Sequence, residues 1–160
     1  MLFSLMHVIH LITVILWIGG LGFITILVLP LIIKMPDPLQ KVLLFQRIER
    51  KFAPMARIYT VITGITGFIM MFMAGAQGIL FTRAGFPLLF MLGVWVFWTI
   101  MLFGLEPIII RRMLDNMASG GTKMEIETVF SRMNRLHFAL LALSLAAAAA
   151  GAAFAHGFFI

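Results

Sequence analysis

Four long apolar stretches alternate with polar segments along this chain of 160 residues. The stretches cover approximately 4–33, 57–77, 87–110 and 136–160, and each reaches the roughly 20 residues that a helix needs to cross a bilayer. Lipid offers no partner to backbone N–H and C=O groups, so such a segment satisfies them internally as a helix. The pattern predicts an all-α, polytopic membrane protein in which four transmembrane helices form one antiparallel bundle and a single domain.

Two longer polar segments connect the spans: 34–56 joins the first to the second, and 111–135 joins the third to the fourth. In the first, "PLQKVLLFQRIERKF" (38–52) has the spacing of a mildly amphipathic helix on a membrane surface. In the second, "NMASGGTK" (116–123) predicts a turn, after which a helix leads into the fourth span.

Small side chains recur at helical spacing in two of the spans. Thr60, Gly64 and Gly67 share a face of the second, and "AAAAAGAA" (146–153) occurs in the fourth. Small residues let two backbones approach closely in lipid, so we interpret both faces as packing surfaces.

Composition agrees with a lipid environment. Hydrophobic residues make up 62% of the chain and charged residues 11%, whereas soluble domains are about half apolar and about a quarter charged. The chain has no cysteine, which excludes disulfides and thiolate metal sites.

The chain has a net charge of +6, and its basic residues are concentrated in the segments between the spans. Six of the 12 basic residues lie within 34–57, five lie within 111–135, and Arg83 alone occupies the short loop between the second and third spans. The positive-inside rule therefore places both long loops in the cytoplasm and both termini in the periplasm of a bacterial inner membrane. No basic stripe alternates with stacking aromatics, so no nucleic-acid partner is expected.

Histidines are the unusual residues of the spans. His7 and His10 lie near the predicted outer end of the first span, and His156 lies at a similar predicted depth in the fourth. His137 begins the fourth span, roughly 28 Å from His156 along the helix axis, so it cannot share a metal with the others. His7 and His137 fit ordinary interfacial positions, whereas both a surface and a functional role remain open for His156.

His10 is the strongest functional candidate. It shares one helical stripe with Thr13, Trp17 and Gly20. Ionisable residues in a membrane rarely face lipid and commonly mark functional sites. We therefore expect this stripe to face the interior of the bundle.

The first span also carries a family resemblance. "HLITVILWIGGLGF" (10–23) resembles the first-helix signature of the HemJ-type protoporphyrinogen oxidases, and it is similar to the first helix of CopD-type copper-resistance membrane domains. Weaker similarities to HemJ helices occur in "RIYTVITGITGF" (57–68) and "RMN" (132–134). The lysine of the third HemJ helix is absent from the corresponding "GFPLLFMLGVWVF" (85–97).

The HemJ resemblance implies a haem b site in which His10 is an axial ligand. His156 is then a candidate second ligand, which predicts a six-coordinate, low-spin iron. Trp17, with Trp95 and Trp98, would supply aromatic walls, and Arg83 would pair with the propionates. The implied role is electron transfer, or a redox reaction on a lipophilic substrate such as a quinone or porphyrin, with a redox partner protein. Without the lysine, protoporphyrinogen oxidation is expected to be weak or absent.

Two other functions stay open. In a CopD-like copper transport or resistance protein, His7, His10 and His156 would form a three-imidazole site, and the thioethers of "MMFM" (70–73) suit Cu(I). In a non-catalytic membrane subunit, which could also be a homo-oligomer, the function would reside in the cytoplasmic loops. Glu106, followed by Pro107, is expected to cap the inner end of the third span or to pair with a nearby arginine.

Overall fold

The protein is described by a computed structural model that covers residues 1–105 and 123–158. Within these residues every regular element is helical, and four helices are long and apolar enough to cross a membrane. The predicted all-α class with four spanning helices is therefore confirmed. The predicted turn at 116–123 and the predicted cap at Glu106 lie outside the described residues, apart from the start of the last helix.

The helices are labelled in chain order. Helix α1 spans Leu2–Ile33 and contains a π-helical segment, Ile24–Val28; α2 is Pro38–Met73; α3 is Phe86–Ile100, continued by a π-helix at Met101–Leu105; and α4 is Lys123–Ala155. A short 3-10 helix, Ala76–Ile79, lies in the loop between α2 and α3.

Helix α2 differs from the sequence prediction because it is continuous from Pro38 to Met73. The surface helix expected at 38–52 is therefore the first part of the second spanning helix. Asp37 caps its start by accepting a hydrogen bond from the Leu39 N–H at 2.9 Å, and Pro38 occupies the first turn, where its missing N–H costs nothing. Thirty-six residues extend about 54 Å, well beyond the roughly 30 Å hydrocarbon core.

Neighbouring helices run antiparallel, as residue pairs at two levels of each interface show. These pairs are His10 with Gly67 and Gly20 with Phe52 for α1 and α2, Trp95 with Gly64 and Arg57 with Leu102 for α2 and α3, and Met91 with Gly151 and Trp98 with Ser144 for α3 and α4.

Two buried apolar clusters hold the bundle together. One surrounds Trp17 and Trp98, whose rings meet edge to face at 5.5 Å between centroids. The other surrounds Phe45 and Phe130, which meet in the same way at 5.9 Å. Large apolar side chains also cover much of the outer surface, an arrangement that suits a lipid environment.

Candidate functional site around His10

His10 packs against α2 at a glycine. The ring is half-buried, and a Cβ added to Gly67 would lie 3.2 Å from the ring Cε1. Such a contact is tighter than ordinary van der Waals packing, so the glycine lets the imidazole lie close to the α2 backbone. The predicted interior position of His10 and the predicted close approach at Gly67 are both observed.

One ring nitrogen of His10 is held by two oxygens of α2. Its Nδ1 lies 3.1 Å from the Thr63 carbonyl oxygen and 3.0 Å from the Thr66 hydroxyl oxygen. The carbonyl can only accept, and the Thr66 hydroxyl has its own acceptor in the Ile62 carbonyl at 2.7 Å. Nδ1 must therefore carry the proton and donate it. In the neutral ring, this leaves the lone pair on Nε2.

Two further hydroxyls extend this hydrogen-bond network. The buried Thr63 hydroxyl donates to the Thr13 hydroxyl oxygen at 3.1 Å. Thr13 in turn donates to carbonyls of its own helix, with distances of 3.0 Å to Ile9 and 2.9 Å to His10. Every hydroxyl thus has an acceptor, and the network fixes the imidazole between α1 and α2.

The remaining histidines do not join this network. His7 is exposed and has a ring contact with Phe3 at 6.3 Å between centroids, and His156 is exposed at the end of α4. The Nδ1 of His137 bonds to the Met133 carbonyl, 2.9 Å away and one turn back on its own helix. Among the described residues, no three His, Asp or Glu side chains gather as a metal site would require, so the three imidazoles proposed for copper are not brought together.

His156 also lies at a different level from His10. Three contacts relate the levels of the helices: His10 with Gly67, Trp95 with Gly64, and Met91 with Gly151. Counting along the antiparallel helices through these contacts puts His10 level with about residue 150 of α4. The direct contact between Gly22 of α1 and Leu141 of α4 gives about residue 153 instead, so His156 lies about three to six residues further out, or roughly 5–9 Å at 1.5 Å per residue. The role of His156 as a second ligand stays a prediction.

The other predicted site residues occupy separate places. Trp17 is buried in the cluster with Trp98, about two turns below His10. The Trp98 indole donates to the Ser144 hydroxyl at 3.0 Å, and the Trp95 indole donates to the Thr60 carbonyl at 2.9 Å. Arg83 is exposed in the loop between α2 and α3. The roles proposed for Trp17 and Arg83 at a cofactor stay predictions.

Thr66 is the site residue that sequence reasoning missed. The sequence already contained its signal, because Thr63, Thr66 and Gly67 follow the i, i+3, i+4 spacing of one helix face. Polar side chains on one face of a spanning helix predict an interhelical hydrogen-bond partner. His10, at the matching depth of α1, is that partner.

Comparison with protein families, with curated proteins and with solved structures gives no match. The geometry around His10 is therefore the structural basis for a functional proposal, and the first-helix resemblance supplies only the kind of cofactor to consider.

Proposed function

We propose that this protein binds haem b through Nε2 of His10 and has a redox or electron-transfer role in the membrane. The observation that carries the proposal is the hydrogen bond from Nδ1 to the Thr63 carbonyl. Histidines that ligate metals almost always donate their other ring N–H to a carbonyl, carboxylate or water, which fixes the tautomer and the ring plane. His10 meets this requirement, and Thr66 adds a second acceptor.

Haem b would supply one-electron chemistry in an apolar setting. The residues of this chain would hold the imidazole at a fixed orientation and exclude water with the surrounding apolar side chains. A quinone or porphyrin of the bilayer, or a redox partner protein, would exchange the electrons. With the cytoplasmic loops assigned by their basic residues, His10 would serve the periplasmic side of a bacterial inner membrane.

Haem content of purified variants tests the ligand. We expect His10→Ala to lose the Soret band and nearly all haem, because no other described histidine lies in the hydrogen-bonded position at Thr63. His137→Ala is the matched control, since it also removes a half-buried histidine with a backbone hydrogen bond, and it should keep the wild-type spectrum. Equal haem loss in both variants, or wild-type haem content in His10→Ala, would overturn the proposal.

Carbon monoxide binding tests whether the second axial position of the iron is open or occupied by a protein ligand. Since His156 is exposed at the end of α4 and lies roughly 5–9 Å beyond the level of His10, we expect one protein ligand and rapid binding of the gas to the reduced wild-type protein. Slow binding in the wild type, together with fast binding in His156→Ala, would instead identify His156 as the second ligand, with the six-coordinate iron that the sequence suggested.

A further inference from the structure

An apolar groove runs along the outside of α2 next to α3. It has a volume of about 620 Å³, within the size range of sites for small amphiphilic molecules. Its lining along α2 includes Val61, Ile65 and Phe72, which lie about half a turn around the helix from Thr63. The groove is therefore on the opposite face of α2 from the His10 site.

The shape of the groove suits one hydrocarbon chain. Its lining runs from Val61 to Met73, which is about 18 Å along the helix axis. Half of a roughly 30 Å hydrocarbon core is about 15 Å, so the groove is about as long as one leaflet is thick. Trp95 closes one side, and its indole N–H is already bonded to the Thr60 carbonyl. The groove thus offers no free polar group to an occupant along its length.

The loop beyond the Met73 end of the groove carries a positive charge. Met73 is the last lining residue on α2 and also ends that helix, and Arg83 lies ten residues later in the loop that leads to α3 at Phe86. Arg83 is exposed, and its guanidinium has no hydrogen-bond or ion-pair partner among the described residues. Between residues 58 and 105 it is the only basic residue, and that range contains no acidic residue.

The loop that carries Arg83 has a defined structure. The Thr82 hydroxyl donates to the Ile79 carbonyl at 2.7 Å and accepts from the Gly85 N–H at 3.3 Å. Phe81 and Phe86, on either side of Arg83, are 86% and 62% exposed. Exposed apolar rings suit contact with lipid, and an arginine beside a helix end can extend its guanidinium to the headgroup level.

We propose that this groove and Arg83 form a binding site for an anionic phospholipid of the leaflet on the Arg83 side. One acyl chain lies in the groove, and the guanidinium pairs with the headgroup phosphate, for which its planar donor set is well matched. A zwitterionic lipid has the same phosphate, but its adjacent cation competes with the arginine. The anionic charge therefore provides selectivity, and the groove provides apolar contact.

Native mass spectrometry of the detergent-purified full chain, titrated with phosphatidylglycerol and phosphatidylcholine of identical acyl chains, tests the site. We expect one phosphatidylglycerol to be retained in preference to phosphatidylcholine. Arg83→Gln should reduce that preference roughly tenfold, the size of one charge-assisted hydrogen bond. Arg50→Gln is the matched control, because it removes an exposed arginine from the first half of α2, away from the groove, and it should leave the preference unchanged.

Substitutions that fill the groove distinguish a specific lipid site from a general attraction of anionic lipid to basic residues. Ile65→Trp, at a position 56% exposed, should abolish retention of both lipids. If Ile65→Trp does not fold, Val61→Trp tests the same expectation. Equal retention of the two lipids by the wild type, an unchanged preference in Arg83→Gln, or retention that survives the groove substitutions would each overturn the proposal. A dimer that disappears in Ile65→Trp would also overturn it, because the groove would then bind a second copy of the chain.

Discussion

Gly64 is the residue at which the indole of Trp95 meets the backbone of α2. A Cβ added there would overlap the indole ring atoms Cζ2 and Cε2. The ring cannot easily retreat, since its N–H donates to the Thr60 carbonyl at 2.9 Å and its other side meets the Phe68 ring edge to face at 5.5 Å between centroids. Because Gly64 has no Cβ, α2 and α3 can approach each other closely at this point.

Gly64→Ala is expected to destabilise the protein by about 1–3 kcal/mol, the usual effect of forcing an extra methyl into a packed interface. Thermal unfolding of the detergent-solubilised protein measures the change. Gly93→Ala on α3 is the control, because a Cβ there meets nothing within 4 Å, and alanine favours a helix over glycine by roughly 0.5–1 kcal/mol. Equal melting temperatures for the two variants would contradict this account of Gly64.

At the scale of elements, the first part of α2 packs against α4. Phe45 lies against the fully buried Phe130. Lys41, one turn earlier, is only 3% exposed, and its Nζ lies 4.0 Å from a carboxylate oxygen of Glu127. The sequence suggested a helix on the membrane surface here, but the contacts with α4 bury one face of it. This part of α2 therefore belongs to the packed bundle.

Phe45→Ala should cost about 3–5 kcal/mol, because it removes a buried ring and leaves a cavity beside Phe130. Leu43→Ala is the matched control, since Leu43 lies two residues away on the same helix and is 52% exposed; we expect a change within about 0.5 kcal/mol. Unfolding free energies from denaturant titration in detergent compare the two. Similar losses would indicate that residues 38–52 rest on the membrane surface, as the sequence alone suggested.

At the scale of the whole molecule, the four candidate spanning helices of the described residues predict that Met1 and Phe158 lie on one side of the membrane. The basic residues of 34–57 and 111–135 predict that this side is the periplasm. A C-terminal fusion to alkaline phosphatase should therefore be active, and a C-terminal fluorescent protein that folds only in the cytoplasm should be dark. Fusions at residue 118 should give the reverse pattern, and a bright C-terminal fusion would contradict the predicted topology.

The sequence by itself determined the four spanning helices and the small-residue faces at which they approach one another. Both follow from local patterns, because hydropathy over about 20 residues decides whether a segment can remain in lipid, and helical spacing decides which residues share a face. The position of His10 inside the bundle could be predicted in the same way, from one ionisable residue on an otherwise apolar helix.

Only the tertiary structure decided which groups meet across the helices. It bonds His10 to Thr63 and Thr66 and buries Lys41 beside Glu127 of α4. These outcomes depend on the register between segments that are distant in the chain, and the packing of side chains across each interface sets that register. A shift of one helical turn moves a side chain by about 5.4 Å, more than the reach of a hydrogen bond, while the hydropathy of every span stays the same.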